Sequence, residues 1–176
     1  MRVIAGSARR TALVAPQGTN TRPTADRAKE SLFNIIAPRI KGARFLDIFC
    51  GSGAIGIEAL SRGAKEAVFI ENASPALKAV KENLTKTKLQ NAEIIEASVE
   101  KAISLLSGRQ FDIIFLDPPY DSKLLVQTMQ EISRTNLLAE NGVIIAETER
   151  STELEFPGFL LTSTRVYGRT NFLFFS

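Results

Sequence analysis

The chain has 176 residues, with 22 Lys or Arg against 19 Asp or Glu, no histidine and one cysteine, and a formal charge of +3. That length folds as one domain with a substantial core, and the absence of histidine excludes imidazole bases and every His-containing nucleophilic triad. A single cysteine excludes an intramolecular disulfide, fits a reducing compartment, and with no His beside it offers no zinc, haem or iron–sulfur ligand set.

No run approaches the roughly 20 apolar residues of a membrane helix. Met1-Arg2 leads into a short apolar stretch broken at Ser7, unlike a signal peptide, so a cytoplasmic protein is expected. Nine Lys or Arg but only two acids fall in residues 1–44, so that stretch carries +7 and the remainder −4. This asymmetry fits a polyanionic partner approached from one end, and equally a solvated basic surface that binds nothing specific.

Arg2 to Ala5 and Thr11 to Ala15 are extended runs flanking a Gly6 to Arg10 turn. They read as a basic hairpin, which must pack on the main domain or on a partner to be stable. Pro23 disfavours helix at Arg22, Thr24 supplies an N-cap, and Ala28, Leu32, Ile35 and Ile36 form the apolar stripe of a helix reaching Pro38. Arg27 and Glu30 are spaced to pair, whereas Arg22 sits in a polar loop, free to reach a ligand.

Ala43 to Phe49 reads as a buried strand, followed by Gly51, Gly53 and Gly56 and a helix with Ile55, Ile57, Ala59 and Leu60 apolar. Strands Ala67 to Ile70, Ala92 to Glu96, Phe111 to Leu116 and Gly142 to Glu147 then alternate with helices. These helices run Ala76 to Thr85, with Leu77, Val80 and Leu84 inward, then Val99 to Leu106, then Ser122 to Ser133, with Leu125, Met129 and Ile132 inward. Phe159 to Tyr167 and Thr170 to Phe175 flank Gly168-Arg169 as an antiparallel pair. The expected fold is α/β, a mostly parallel Rossmann-like sheet closed by an antiparallel C-terminal hairpin, with Phe172, Phe174 and Phe175 in its core.

Three features fall at the carboxyl ends of these strands, where such sheets bind ligands. Asp47 precedes the glycine loop, where a carboxylate suits a cationic or neutral ligand and repels a pyrophosphate. Glu71 follows the second strand, 18 residues after Gly53, where an acid accepts hydrogen bonds from ribose hydroxyls. Asp117-Pro118-Pro119-Tyr120 follows the fourth strand. The Asp117 carboxylate and Pro118 carbonyl offer two acceptors to one amine, and Tyr120 offers a flat face to a planar base. An amine conjugated to a base is a poor nucleophile. Acceptors that hold its hydrogens align the lone pair and stabilise the positive charge that develops on attack.

These motifs resemble those of class I S-adenosylmethionine-dependent methyltransferases. Asn20 to Arg27, Glu30 to Asn34, Asp47 to Gly53, Arg62 to Ala64 and Asp117 to Tyr120 more specifically resemble the RsmD family, the bacterial small-subunit (16S) rRNA guanine-N2 methyltransferases. The resemblance implies seven strands, a basic hairpin extension over 1–20 and a methyltransferase domain over 21–176. It implies S-adenosylmethionine held by Asp47, Phe49, Gly51, Gly53, Glu71 and Asn72, with Arg22 shaping the pocket. The family's acidic adenine contact is replaced here by Glu96-Ala97-Ser98, which leaves Ser98 as the candidate. Cys50 stands where relatives carry Ala and reads as packing. Asp117, Pro118 and Tyr120 match the amine site, and Arg9, Arg10, Arg22 and Arg27 are candidates for RNA phosphates.

The implied reaction is direct methyl transfer to N2 of one unstacked guanine, without metal, by a monomer acting on rRNA in a 30S subunit or assembly intermediate. Three other readings share part of the pattern. A DNA adenine-N6 or other amino-methyltransferase shares the Asp117 loop but carries a target-recognition region for which this chain has no room. A non-catalytic RNA-binding assembly factor is motivated only by Ala97-Ser98. A nicotinamide dehydrogenase would set its diphosphate against Asp47.

Overall fold

The computed structural model describes residues 1–16, 23–118, 122–149, 156 and 158–176. In chain order the elements are α1 Pro23–Ile40, β1 Arg44–Ile48, α2 Ala54–Ser61, β2 Glu66–Glu71, α3 Ser74–Thr87, β3 Ala92–Glu96, α4 Val99–Leu105, β4 Phe111–Leu116, α5 Ser122–Thr135, β5 Leu138–Thr148, β6 Leu161–Tyr167 and β7 Thr170–Phe175. One seven-stranded sheet has the order β3-β2-β1-β4-β5-β7-β6. Strands β1 to β5 are parallel, and β7 pairs antiparallel with both β5 and β6.

The near-continuous apolar runs in β1, β2 and β4 reflect burial on both faces. Phe45, Phe69, Ile113, Phe115 and Ile145 face a layer containing Leu32 and Phe33 of α1, Ile57 of α2 and Val80 of α3. Leu46, Ile48, Val68, Ile114 and Leu116 face Ile103 of α4 and Leu125, Met129 and Ile132 of α5. Strand direction of growth reverses at β1, which has β2 on one side and β4 on the other, so a crevice opens at the carboxyl ends of β1 and β4. Phe172, Phe174 and Phe175 are buried in the two layers, as their sequence suggests.

Several expectations need correction. α1 begins at Pro23, so Thr24 lies within the helix; proline at the first helical position sacrifices no intrahelical bond. The helix also continues through Pro38, carrying Ile40 into the core, while Ile35 is exposed and Phe33 takes its inward place. In α3, Leu77 and Leu84 are only half-buried, and Asn83 is fully buried. β5 starts at Leu138, because a register irregularity opposite Phe111 and the left-handed Asn141 (φ 63°) absorb the polar Glu140-Asn141 kink. Phe159 precedes β6 and bridges Phe156. Neither Arg27 nor Glu30 enters an ion pair among the described residues.

The N-terminal runs meet through one antiparallel bridge, Arg2 to Ala12, with the Val3 amide donating to the Thr11 carbonyl and the Arg10 amide to that of Val3. Val3, Ala8 and Leu13 are buried in the same layer as α1 and α2. Glu58 of α2 is fully buried. It accepts the Ile4 amide at 2.8 Å, the Ala5 amide at 3.0 Å and Arg62 Nε at 2.7 Å, and it pairs with Lys29 Nζ at 3.3 Å. Lys29 also donates to the Arg2 carbonyl at 2.7 Å, so its charge is engaged internally; burial pulls its pKa down and Glu58 opposes that shift. Removing Glu58 from this cluster would leave the buried Lys29 ammonium without its counter-charge.

Candidate active site

The glycine loop begins where β1 ends. Phe49, Gly51 and Gly53 have φ of 61°, 55° and 75°, so the chain reverses through left-handed backbone before entering α2. At Phe49 that conformation costs about 1–2 kcal/mol, offset by packing of its half-buried ring against the α4 and α5 layer. At Gly53 a Cβ would lie 2.6 Å from Val80 Cγ2, and at Gly56 it would run into the Phe69 ring. At Gly51 a Cβ would meet nothing, so the loop backbone there faces open space.

Asp47 is 1% exposed, and its Oδ2 accepts the Gly56 amide at 2.8 Å. Gly56 is the third residue of α2, whose N-cap Gly53 has no capping side chain. Asp47 thus caps the helix from the neighbouring strand, satisfying one of its unpaired N–H groups. Burial lifts its pKa to about 7 against the Gly56 hydrogen bond, with Asp117 and Glu71 adding repulsion. The carboxylate is thus buried against the start of α2, held by the Gly56 amide. Cys50 is buried, and burial beside Asp47 and Glu71 pushes its thiol pKa well up, in keeping with a packing role.

Glu71 locks the loop to β2. Its Oε2 accepts the Gly51 amide at 3.0 Å, and its Oε1 accepts the amides of Asn72 and Ala73 at 2.8 and 2.9 Å. Oε1 thus accepts two amides, while Oε2 keeps acceptor capacity on a half-exposed side chain. The Ala97 amide donates to the Glu71 carbonyl at 3.2 Å, placing exposed Ser98, the N-cap of α4, at the adjoining strand end. Exposed Asn72 directly follows the carboxyl end of β2.

At β4 the parallel pairing runs one step past the strand, with the Asp117 amide donating to the Ile48 carbonyl at 3.4 Å. Because Leu116 pairs with Ala146, the next step sets Asp117 beside Glu147. Alternation along β1, β4 and β5 places Asp47, Asp117 and Glu147 on the face that carries Phe45, Phe115 and Ile145. Asp117 is solvent-exposed, yet crowding around its carboxyl and repulsion from Glu149 raise its pKa. Glu147 is half-buried and also raised, by burial and then by Asp117, against a hydrogen bond with Thr170. Pro118 follows, partly exposed. Tyr120 and Arg22 lie outside the described residues.

Arg9, Arg10 and Arg27 are exposed. Sequence reasoning missed Glu58, Asn83 and Glu147. The charge of Glu58 inside the apolar Ile55 to Leu60 run was a readable signal, as was Glu147 directly after an aliphatic strand. A surface depression lined by Lys65, Glu66, Asn91 and Glu93 among others lies at the amino ends of β2 and β3, opposite this crevice.

A family model described as conserved hypothetical protein 95 matches residues 1–176. The chain belongs to this family, the RsmD family. Its relatives include YlbH of Bacillus subtilis, 43% identical over 97% of this chain and 95% of that protein. Ribosomal RNA small subunit methyltransferase D of Haemophilus influenzae is 38% identical over 89% of this chain and 83% of its own length. Among solved structures, yhhF of Escherichia coli superposes with a TM-score of 0.86 at 35% identity, covering 99% of this chain and 96% of that one. RsmD-family membership therefore accounts for the sheet order, the glycine loop and the N-terminal segment together.

Proposed function

We propose that the protein transfers a methyl group from S-adenosylmethionine to the exocyclic N2 amine of a guanine in small-subunit rRNA. The observation that carries this reading is the juxtaposition of the β1 glycine loop with the Asp117-Pro118 strand end in an RsmD-family chain. The cofactor supplies an electrophilic methyl on a sulfonium. The site suits that group, because open backbone at Gly51, the spare acceptor site on Glu71 Oε2 and the neighbouring Asp117 and Glu147 carboxyls favour hydroxyls and positive charge. Glu71 would hold the ribose, Asn72 and Ser98 would flank the adenine, and Phe49, Gly51 and Gly53 would shape the methionine side.

Asp117 and the Pro118 carbonyl accept the N2 hydrogens and orient the nitrogen lone pair, and Tyr120 stacks on the base. As the N2–CH₃ bond forms and the S–CH₃ bond breaks, these acceptors stabilise the charge on nitrogen, and the surplus proton leaves to water. Guanine presents its N1–H beside N2–H, whereas adenine presents an acceptor beside its amine. Glu147, next in register to Asp117, suits the N1–H donor and favours guanine. A neighbouring cation and donor both stabilise its ionised form.

Residues 1–20 serve as the RNA-contacting extension, with Arg9, Arg10, Arg22 and Arg27 on phosphates, and 21–176 as the catalytic domain of a monomer. Its setting is the cytoplasm, and its partner is rRNA in a 30S subunit or assembly intermediate. The test offers labelled cofactor with unmodified small subunits, stripped small-subunit rRNA and duplex DNA. Label in subunits or rRNA is expected, and label confined to DNA would replace this reading with a DNA amino-methyltransferase.

A further inference from the structure

Asn83 is fully buried in α3 and makes three hydrogen bonds that join separate parts of the protein. Its Oδ1 accepts the Val14 amide at 2.8 Å, while its Nδ2 donates to the Val14 carbonyl at 2.9 Å and to the Ser52 carbonyl at 2.9 Å. Towards Val14 the carboxamide behaves as one residue of a paired strand. Towards Ser52 it grips the centre of the Gly51-Ser52-Gly53 loop. The same N-terminal segment reaches the loop again where Ser52 Oγ lies 3.7 Å from Met1 Sδ. It reaches the helix behind the loop through Ser61, whose Oγ donates to the Ala5 carbonyl at 2.6 Å and accepts the Ala8 amide at 3.0 Å. Exposed Arg9 and Arg10 lie on the outer turn of this strap, directly after Ala8.

We propose that Asn83 is a positioning residue that makes the 1–16 strap and the cofactor loop one mechanical unit, so that RNA held on the strap and cofactor held on the loop strengthen each other. The inference rests on the functional reading above. A buried amide is suited to this task because Leu could fill much the same space but could not hold two backbones in register. Ser52 contributes a carbonyl, so its position in the loop is governed by a partner outside the loop. Linkage requires the coupling to be reciprocal, with typical factors of about 5–150-fold.

The test measures the dissociation constant of S-adenosylhomocysteine by calorimetry, with and without stripped small-subunit rRNA. It uses the wild type, Asn83→Leu and the isosteric Asn83→Asp. The Asp variant keeps an acceptor for Val14 but loses both donated bonds, so one variant remains informative if the other folds poorly. In the wild type, RNA should tighten cofactor-analogue binding by about 5-fold or more. In a folded Asn83 variant that ratio should fall toward one, and KM for S-adenosylmethionine should rise while kcat at saturation changes less than about 2-fold. A purely structural Asn83 would lower the melting temperature and leave the ratio intact, which would overturn the proposal, as would a wild-type ratio of one. If the wild type methylates guanine without coupling, only this inference fails. If it neither binds the analogue nor transfers methyl, the functional reading fails and takes the inference with it.

Discussion

Replacing Asp47 with Asn separates shape from charge beneath the glycine loop. The amide retains an oxygen for the Gly56 N–H, now at 2.8 Å, and nearly the same volume, but it cannot ionise. In the folded protein the wild-type carboxyl titrates near 7 instead of its ordinary 3.8, chiefly because it is buried. The folded state therefore holds this proton more tightly than the unfolded chain. Its stabilising contribution is complete below about pH 4 and is lost as pH rises through about 7. At about 1.4 kcal/mol per tenfold change in proton affinity, the gap sets a ceiling of about 4 kcal/mol. Urea unfolding of ligand-free wild type and Asp47→Asn at pH 5 and pH 8 reads this directly. The wild type should lose about 2–3 kcal/mol more than the variant over that interval, since titrations elsewhere largely cancel in the comparison. Parallel losses would show that Asp47 is ionised in the fold across the range, and the claim that burial holds its proton would fail with that result.

Asp117→Ala should reduce kcat for methyl transfer by about 100-fold or more, the scale of losing a transition-state hydrogen-bond partner, while S-adenosylhomocysteine affinity stays within about 3-fold; steady-state kinetics with calorimetry distinguishes the two. Glu147→Leu should erode base selectivity. With the mapped target guanine replaced by 2,6-diaminopurine, which keeps the amine but lacks N1–H, the wild type should prefer guanine by about 1–3 kcal/mol and the variant much less; rate ratios report this. Arg9→Ala with Arg10→Ala should lower the salt slope of rRNA binding by about 1.5, measured by titration at several ionic strengths. Gly6→Ala sets a Cβ against the Ser61 carbonyl at a φ of 84°, and should cost about 2–3 kcal/mol, or roughly 5–10 °C in thermal unfolding.

Most of the architecture was legible because apolar runs switch cleanly between strand and helix periods from Ala43 to Phe175. The Phe69 and Phe115 strands, buried on both faces, carry no polar alternation that would suggest an open sheet. The elements that shifted did so for tertiary reasons. Ile40 is buried by contacts no local pattern reports, and that burial carries α1 past Pro38. Leu77 and Leu84 yield inward space to Asn83 because an amide there meets two backbones that come from 31 and 69 residues away in sequence. Asp47, Glu71 and Asp117 were legible as carboxylates at strand ends, but their partners were not. Periodicity says which face a residue shares. It does not say that Asp47 turns under the loop to cap α2, or that one strand step beyond Leu116 sets Asp117 beside Glu147.

The most direct test of the central claim is the identity of the methylated nucleoside. Unmodified small subunits incubated with the protein and S-adenosylmethionine are digested to nucleosides and analysed by mass, with fragmentation locating the methyl group. The account predicts N2-methylguanosine, at one position of the rRNA and approaching one per subunit. N6-methyladenosine, or methylguanosine carrying the group on a ring nitrogen, would contradict it.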